Sequence, residues 1–267
     1  MAIDIRHIVQ MIENGYLTRE TRFLDIGCSN LYNATEQDIS DILKKFDVID
    51  VDFCQRLASM SVEKSAFAGE LIDRIGAHYD AIDFAIDYKT TKFDLNKDNL
   101  PSRFRGKFDL ICNFGTTEHV INQDNSFRVI HDGAKHNGLI WHQLPCGGFF
   151  NHCYFLYTGR FFFDLAGYNE YEVVAAWLGQ VNNSSNLMSP FKDYSSYFNA
   201  LTDVQEVPHP TMPDTVFNII YRKVKNVPFR RPMELSTSYT KPDNSQTQSA
   251  REFLRKTKRL LGGLIRQ

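Results

Sequence analysis

The sequence has none of the features that mark a membrane span, a secreted disulfide scaffold or a nucleic-acid binder. No apolar run approaches the roughly 18 residues that a membrane-spanning helix needs. The amino terminus, MAIDIRHIVQ, carries acids and no long apolar core, so it does not read as a secretory signal. Cysteine is sparse: Cys28, Cys54, Cys112, Cys146 and Cys153 are odd in number and contain no C-x-x-C pair. That usage fits reduced thiols in a cytoplasmic protein better than a disulfide frame or a zinc site, and no metal is expected. Net charge is only -2, so the chain as a whole carries no electrostatic footprint for nucleic acid. What it does have is aromatic bulk, with 21 Phe and 12 Tyr in an apolar fraction of 43%, enough core for one large domain with elaborations.

Periodicity divides the chain into four parts. Residues 1–17 hold an amphipathic helix, with Ile5, Ile8, Val9 and Ile12 on one face and Gly15 as its stop. Residues 18–225 alternate strand and helix. Strands are expected at Phe23–Ile26, Tyr79–Tyr88, Lys92–Leu95, Phe108–Gly115, Gly138–Pro145, Tyr171–Gly179 and Thr215–Val224. Helices are expected at Thr35–Phe46, through Cys54–Gly76, at Asn125–Gly138 and at Gly159–Asn169. DVIDVDF, from Asp47, reads as a short strand or part of the helical stretch after it. Asn182–Pro213 is polar and reads as a loop or a helical excursion. The alternation implies an α/β fold with a mainly parallel sheet of seven strands and helices on both faces. Residues 226–250, rich in Pro, Ser, Thr and Gln, read as a linker or surface strap. Residues 251–267 form a basic amphipathic helix: Phe253, Leu254, Leu260, Leu261, Leu264 and Ile265 face one way, and Arg251, Arg255, Lys256, Lys258 and Arg259 the other. Such a helix suits an anionic membrane surface, or docking on its own domain or on another subunit; Gly262 and Gly263 weaken it where its stripe is densest.

TRFLDIGCSN, Thr21–Asn30, is a strand running into a turn, with Asp25 near the strand end and Gly27 opening the turn. After Gly27 come Cys28, Ser29 and Asn30, so the dinucleotide fingerprint G-x-G-x-x-G is absent and a pyrophosphate would lack its cradle. A nucleoside without phosphates needs no such cradle. Further polar residues fall at the carboxyl ends of the expected strands, where open α/β sheets bind ligands: Asp83, Asp94, Asn113 with Gly115, and Glu118 with His119.

On FLDIGCSN, Ala81–Asp83, FDLN at Phe93–Asn96, FDLICNFGTTEHV at Phe108–Val120 and NGLIWHQLP at Asn137–Pro145, the chain resembles the class I S-adenosylmethionine-dependent methyltransferases from about Thr21 to Val224. The resemblance implies a Rossmann-like methyltransferase fold and S-adenosyl-L-methionine as cofactor. It puts Asp25, Gly27 and Ser29 against the methionine part, Asp83 on the ribose, and Asp94 with Leu95 on the adenine. Asn113, Phe114, Gly115 and Glu118 then border the methionine and the transferable methyl. The sequence departs from the family at Ser29 and Leu31, where glycines are usual, and in the long run between Asn30 and Asp83, which leaves Asp50 and Asp52 as rival ribose ligands.

A sulfonium is already an activated methyl donor, so the protein's task is to align an acceptor and remove its proton. Carboxylates and π-faces suit a cationic sulfur, and Phe114 or Tyr154 supplies such a face. For a hydroxyl acceptor a histidine base is expected, and His119 or His152 is the candidate. His142, alternating with Trp141 inside a strand, reads as structural. The aromatic stretch Phe149–Phe163 suits a ring substrate. The expected function is therefore methylation of a small molecule, with a sugar or saccharide intermediate and O-methylation favoured. The alternatives are a non-catalytic binding module that keeps the fold, and a nicotinamide-dependent oxidoreductase.

Overall fold

The computed structural model describes residues 2–149, 152–180, 183–186 and 213–234. The amphipathic helix 251–267, residues 235–250 of the strap and residues 187–212 lie outside the described residues.

The chain opens with β1 (Ala2–Asp4) and α1 (Ile5–Glu13). Asp4 starts the helix through a capping box, its carboxylate accepting from Arg6 while His7 reaches back to the Asp4 N–H. β2 (Arg22–Ile26) follows, then β3 (Asn30–Tyr32), which pairs in parallel with β1 and which periodicity did not reveal. α2 (Glu36–Lys44) is capped by Thr35. α3 (Val51–Val62) takes up the last three residues of DVIDVDF, so the short strand considered there is a helix start instead. Asp50 is its N-cap, accepting from Phe53 N–H at 3.0 Å, and Asp52 lies in its exposed first turn. α4 (Ala68–Arg74) leads into β4 (His78–Asp83), which stops well short of Tyr88. β5 is Thr90–Lys92 rather than Lys92–Leu95, and β6 is Phe108–Phe114. α5 (Gln123–Gly133) ends five residues before the expected glycine exit, because β7 (Ala134–Gly147) begins pairing with Phe108 at Ala134. The buried Lys223 ammonium donates to the carbonyls of His131 and Ala134, closing that helix end. α6 (Gly159–Asn169), β8 (Glu172–Gln180), β9 (Asn183–Asn186) and β10 (Thr215–Arg222) complete the set.

The main sheet runs β5-β4-β2-β6-β7-β10-β8-β9. Strands β5 through β7 in that order are mutually parallel, and β10 inserts antiparallel between β7 and β8. The seven expected strands are all present, and β9 adds an eighth at the edge within what read as loop. From β2 the chain steps outward to β4 and β5, then returns to β6 and continues the other way. The reversal puts a switch point between β2 and β6, with its crevice at their carboxyl ends. This is a Rossmann-like methyltransferase fold.

Period-two alternation sorts the strand side chains between two cores. Phe23, Tyr79, Leu110, Phe114 and Trp141 pack beneath α1, α2, α3 and α4. Leu24, Ile111, Ile140, Phe217 and Tyr221 pack beneath α5 and α6. The described part of the strap lies across the second layer: Arg230 N–H and carbonyl pair with the Asn169 side chain, and Arg231 grips Asp124 with two nitrogens. No helix among the described residues is long and apolar enough to cross a membrane.

Candidate functional site

The crevice begins at Gly27, whose φ of +91° lets β2 turn sharply. The next backbone donors are all claimed by the protein. Gly27 N–H donates to Ile82 O at 2.8 Å, Cys28 N–H to Asp83 Oδ2 at 2.8 Å and Ser29 N–H to Asp25 Oδ2 at 2.9 Å. Asp25 is completely buried and also accepts from the Ser29 hydroxyl at 3.1 Å and the Tyr79 hydroxyl at 2.9 Å. Burial pushes its carboxyl up to about 7 against the pull of those donors. Asp25 therefore builds the loop from inside, and Gly27, Cys28 and Ser29 are buried with it.

Asp83, half-buried at the end of β4, accepts from Cys28 N–H and, at 3.2 Å, from Ala85 N–H. Each carboxylate oxygen keeps a second lone pair for a hydroxyl. The next residue, Phe84, is 68% exposed, and Ile86 is 72% exposed. Large apolar side chains held in water beside a carboxylate suit the face of a purine or another flat ring. Sequence reasoning passed over Phe84; its only signal was an aromatic directly after the strand-end acid. Phe93 N–H donates to Asp83 O at 2.7 Å, which brings Asp94 alongside. Asp94 accepts from Asn96 N–H at 2.9 Å and stands 3.4 Å from Lys97 Nζ; the Asn96 hydrogen bond outweighs what desolvation there is and holds it below the usual carboxylate range. Leu95 is packed in the core under α5. The rival ribose ligands stand on no strand: Asp50 caps α3 and is paired with Arg74, and Asp52 is exposed on that helix.

At the end of β6, Phe114 is buried in edge contact with His7 and Trp141, so the π-face expected of it is taken up in the core. Asn113 is equally internal. Its amide donates to Thr117 Oγ1 at 2.9 Å and lies 3.1 Å from His142 Nδ1. His142 is enclosed by Phe127, Phe162 and Tyr221, and burial drives it down to about 3. Asn113 thus fixes the short turn Thr117–His119, which Thr116 ties to β2 through its hydroxyl on Ile26 O.

Gly115, at φ +75°, leads into that turn, and a Cβ there would meet Glu118 Oε1 at 3.3 Å. Glu118 is 1% exposed; its Oε2 has no hydrogen-bond partner among the described residues, and burial raises its carboxyl to about 7. Its carbonyl accepts from Tyr154 and Phe155 N–H at 3.0 and 3.2 Å, which fastens the loop after β7 over the turn. His119 and His152 are thereby brought together, their ring centroids 5.1 Å apart. Burial and the neighbouring His152 hold His119 below its ordinary value. Ile121, Tyr154 and Leu156, two to four residues along the chain from these histidines, are exposed. A second unanticipated group lies behind Phe114: His7 Nε2 meets the Gln143 amide at 2.9 Å, and Gln143 donates to Asn218 at 3.0 Å, so α1 is pinned to the sheet near its carboxyl edge.

Compared by sequence, the chain matches no protein-family model and no curated protein. Compared by fold, it is similar to a SAM-dependent methyltransferase from Archaeoglobus fulgidus, at 11% identity and a TM-score of 0.46, over 82% of this chain and 94% of that one. It is also similar to 1,6-didemethyltoxoflavin-N1-methyltransferase from Burkholderia thailandensis, at 11% identity and a TM-score of 0.33, over 82% of this chain and 76% of that one. At these identities the likeness is one of fold, which the strand order already gives. The chain folds as a class I methyltransferase does.

Proposed function

We propose that the protein is an S-adenosylmethionine-dependent methyltransferase acting on a small molecule, with a saccharide hydroxyl as the favoured acceptor. The observation that carries the choice of cofactor is the fate of the loop donors. A pyrophosphate is held by free N–H groups at a glycine turn and by the helix start behind it. Here the N–H groups of Gly27, Cys28 and Ser29 all point to protein acceptors, and α2 begins only at Glu36 after an intervening strand. That arrangement argues against NAD and suits a nucleoside that carries no phosphate.

When bound, adenosylmethionine supplies a methyl group already activated on a sulfonium. The chain's own part is to hold and to orient. Asp83 takes the ribose hydroxyls, Phe84 and Asp94 border the adenine, and Gly115 with Thr116 borders the methionine. His119 and His152, on the far side of Gly115, face the acceptor and receive its proton. Tyr154 and Leu156 give that side an apolar wall of the kind on which a sugar ring packs.

Transfer of labelled methyl from adenosylmethionine to a panel of saccharides and other small hydroxyl compounds tests this reading. His152→Ala is expected to slow transfer by about 10²–10⁴-fold with cofactor affinity nearly unchanged. Full activity in His119→Ala and His152→Ala alike would leave the histidines without a role in proton removal. The burial of Gly27 through Ser29 favours a second reading, a binding module that keeps the fold without turnover; cofactor binding with no transfer to any acceptor would select it. The cytoplasm and a peripheral or subunit contact through residues 251–267 complete the proposal.

A further inference from the structure

The turn after β6 places a buried carboxylate beside two imidazoles. Glu118 is 1% exposed and its Oε2 has no hydrogen-bond partner among the described residues, an arrangement that a cation relieves. Its Oε1 lies 4.0 Å from His119 Nε2, too far for a hydrogen bond. One donor atom from each of Glu118, His119 and His152 falls within 4.8 Å of the others. We propose that these three residues bind a single divalent transition-metal ion, through one carboxylate oxygen and two imidazole nitrogens.

The donor set selects the ion. Two imidazoles with one carboxylate suit zinc, iron, cobalt or manganese, whereas magnesium and calcium prefer oxygen throughout; a set of three leaves coordination positions open. Donors about 2.0–2.2 Å from an ion stand roughly 3–3.5 Å apart. His119 and His152 are exposed, so the move from the present spacing to that one falls on side chains at the surface. The backbone is already in place: the Glu118 carbonyl, accepting from Tyr154 and Phe155, holds the His152 loop against the Glu118–His119 turn.

This reassigns Glu118, which the family resemblance gave to the methionine of the cofactor, and His119 and His152, which with the ion bound hold it in place of taking the acceptor's proton. An ion at this point lowers the pKa of a hydroxyl that shares it, the hydroxyl proton passing to water. That consequence rests on the methyl-transfer reading; the binding of the ion does not.

The test is a titration of the metal-stripped full chain with Co²⁺, followed by its visible absorption and by displacement with Zn²⁺. One equivalent is expected to bind, with bands of a nitrogen and oxygen site. His119→Ala and His152→Ala are each expected to weaken uptake by at least about tenfold, the scale of loss seen even for outer-shell partners. Glu118→Gln should do the same, its fold checked by circular dichroism because the residue is buried. Absence of Co²⁺ and Zn²⁺ binding at millimolar metal overturns the proposal, as does unchanged uptake in the His119→Ala/His152→Ala double variant. Adenosylmethionine is titrated into the same samples. Metal uptake without cofactor binding upholds the ion site and overturns the methyl-transfer reading, and cofactor binding without metal uptake does the reverse.

Discussion

The turns after β2 and after β6 start from one device, a glycine at positive φ, and end in opposite states. Behind Gly27 the N–H groups of Gly27, Cys28 and Ser29 and the Asp25 carboxylate all have partners: Asp25 is shared by Ser29 and Tyr79, and Asp83 receives Cys28. Behind Gly115 stand a buried carboxylate with one oxygen unpartnered among the described residues and two exposed histidines. A satisfied network fixes a shape, and an unsatisfied one waits for a ligand. On the proposed reading the first turn is scaffold and the second carries the chemistry. Asp25 then belongs to the frame and not to the cofactor contacts.

The largest expected effect comes from breaking the satisfied half. Asp25→Ala strands the Ser29 N–H, the Ser29 hydroxyl and the Tyr79 hydroxyl in the core, and should cost roughly 3 kcal/mol or more near pH 4, measured by denaturant unfolding, and less as pH rises through 7, where wild type itself gives up stability on the raised Asp25 carboxyl. Loss of cofactor affinity with full stability would place Asp25 at the ligand instead. Gly69→Ala attacks the same network from behind, since a Cβ there would come within 2.4 Å of the Tyr79 ring. A cost of about 1–3 kcal/mol is expected, because the rigid ring that must move is also the donor to Asp25.

The open half should respond with the opposite sign. The Glu118 carboxyl is raised to about 7 in the fold from 4.5. The folded state keeps its proton where the unfolded chain has lost it, so wild type gives up stability as pH rises from 4.5 through 7. Glu118→Gln stays neutral throughout. In metal-free protein it should match wild type near pH 4.5 and exceed it by up to about 3 kcal/mol at pH 8. A variant less stable than wild type at pH 8 would mean that the carboxylate has a partner after all. The smallest effect belongs to Asp52→Ala, a change on an exposed helix surface, which should alter stability by less than about 0.5 kcal/mol and leave cofactor affinity as it was.

Long-range order was easier to read in this sequence than its local detail. The seven strands and α6 follow from apolar runs bounded by glycine and proline. β1 and β3 escaped because three residues apiece carry no alternation, and their pairing is made by distant chain. DVIDVDF alternates like a strand, yet Asp50 caps a helix whose buried face, Cys54 and Leu57, appears only further on. The boundary of α5 is set by β7 pairing with Phe108 and by Lys223, both remote in sequence. Near the crevice, the place of Asp83 at the end of β4 and of Glu118 just after β6 was legible from position alone. Which of them are spent internally was not, since the partners of Asp25 and Asn113 arrive from other elements. Nor could spacing show that the Glu118 carbonyl draws His152 to His119.

The claim that the crevice holds a phosphate-free nucleoside is tested most directly by calorimetric titration of wild type and Asp83→Ala with adenosylmethionine and with NAD. Adenosylmethionine should bind wild type in the micromolar range, weaken by roughly 1.5–3 kcal/mol in Asp83→Ala, and NAD should not bind. Binding of NAD, or equal binding of adenosylmethionine to both proteins, would contradict it.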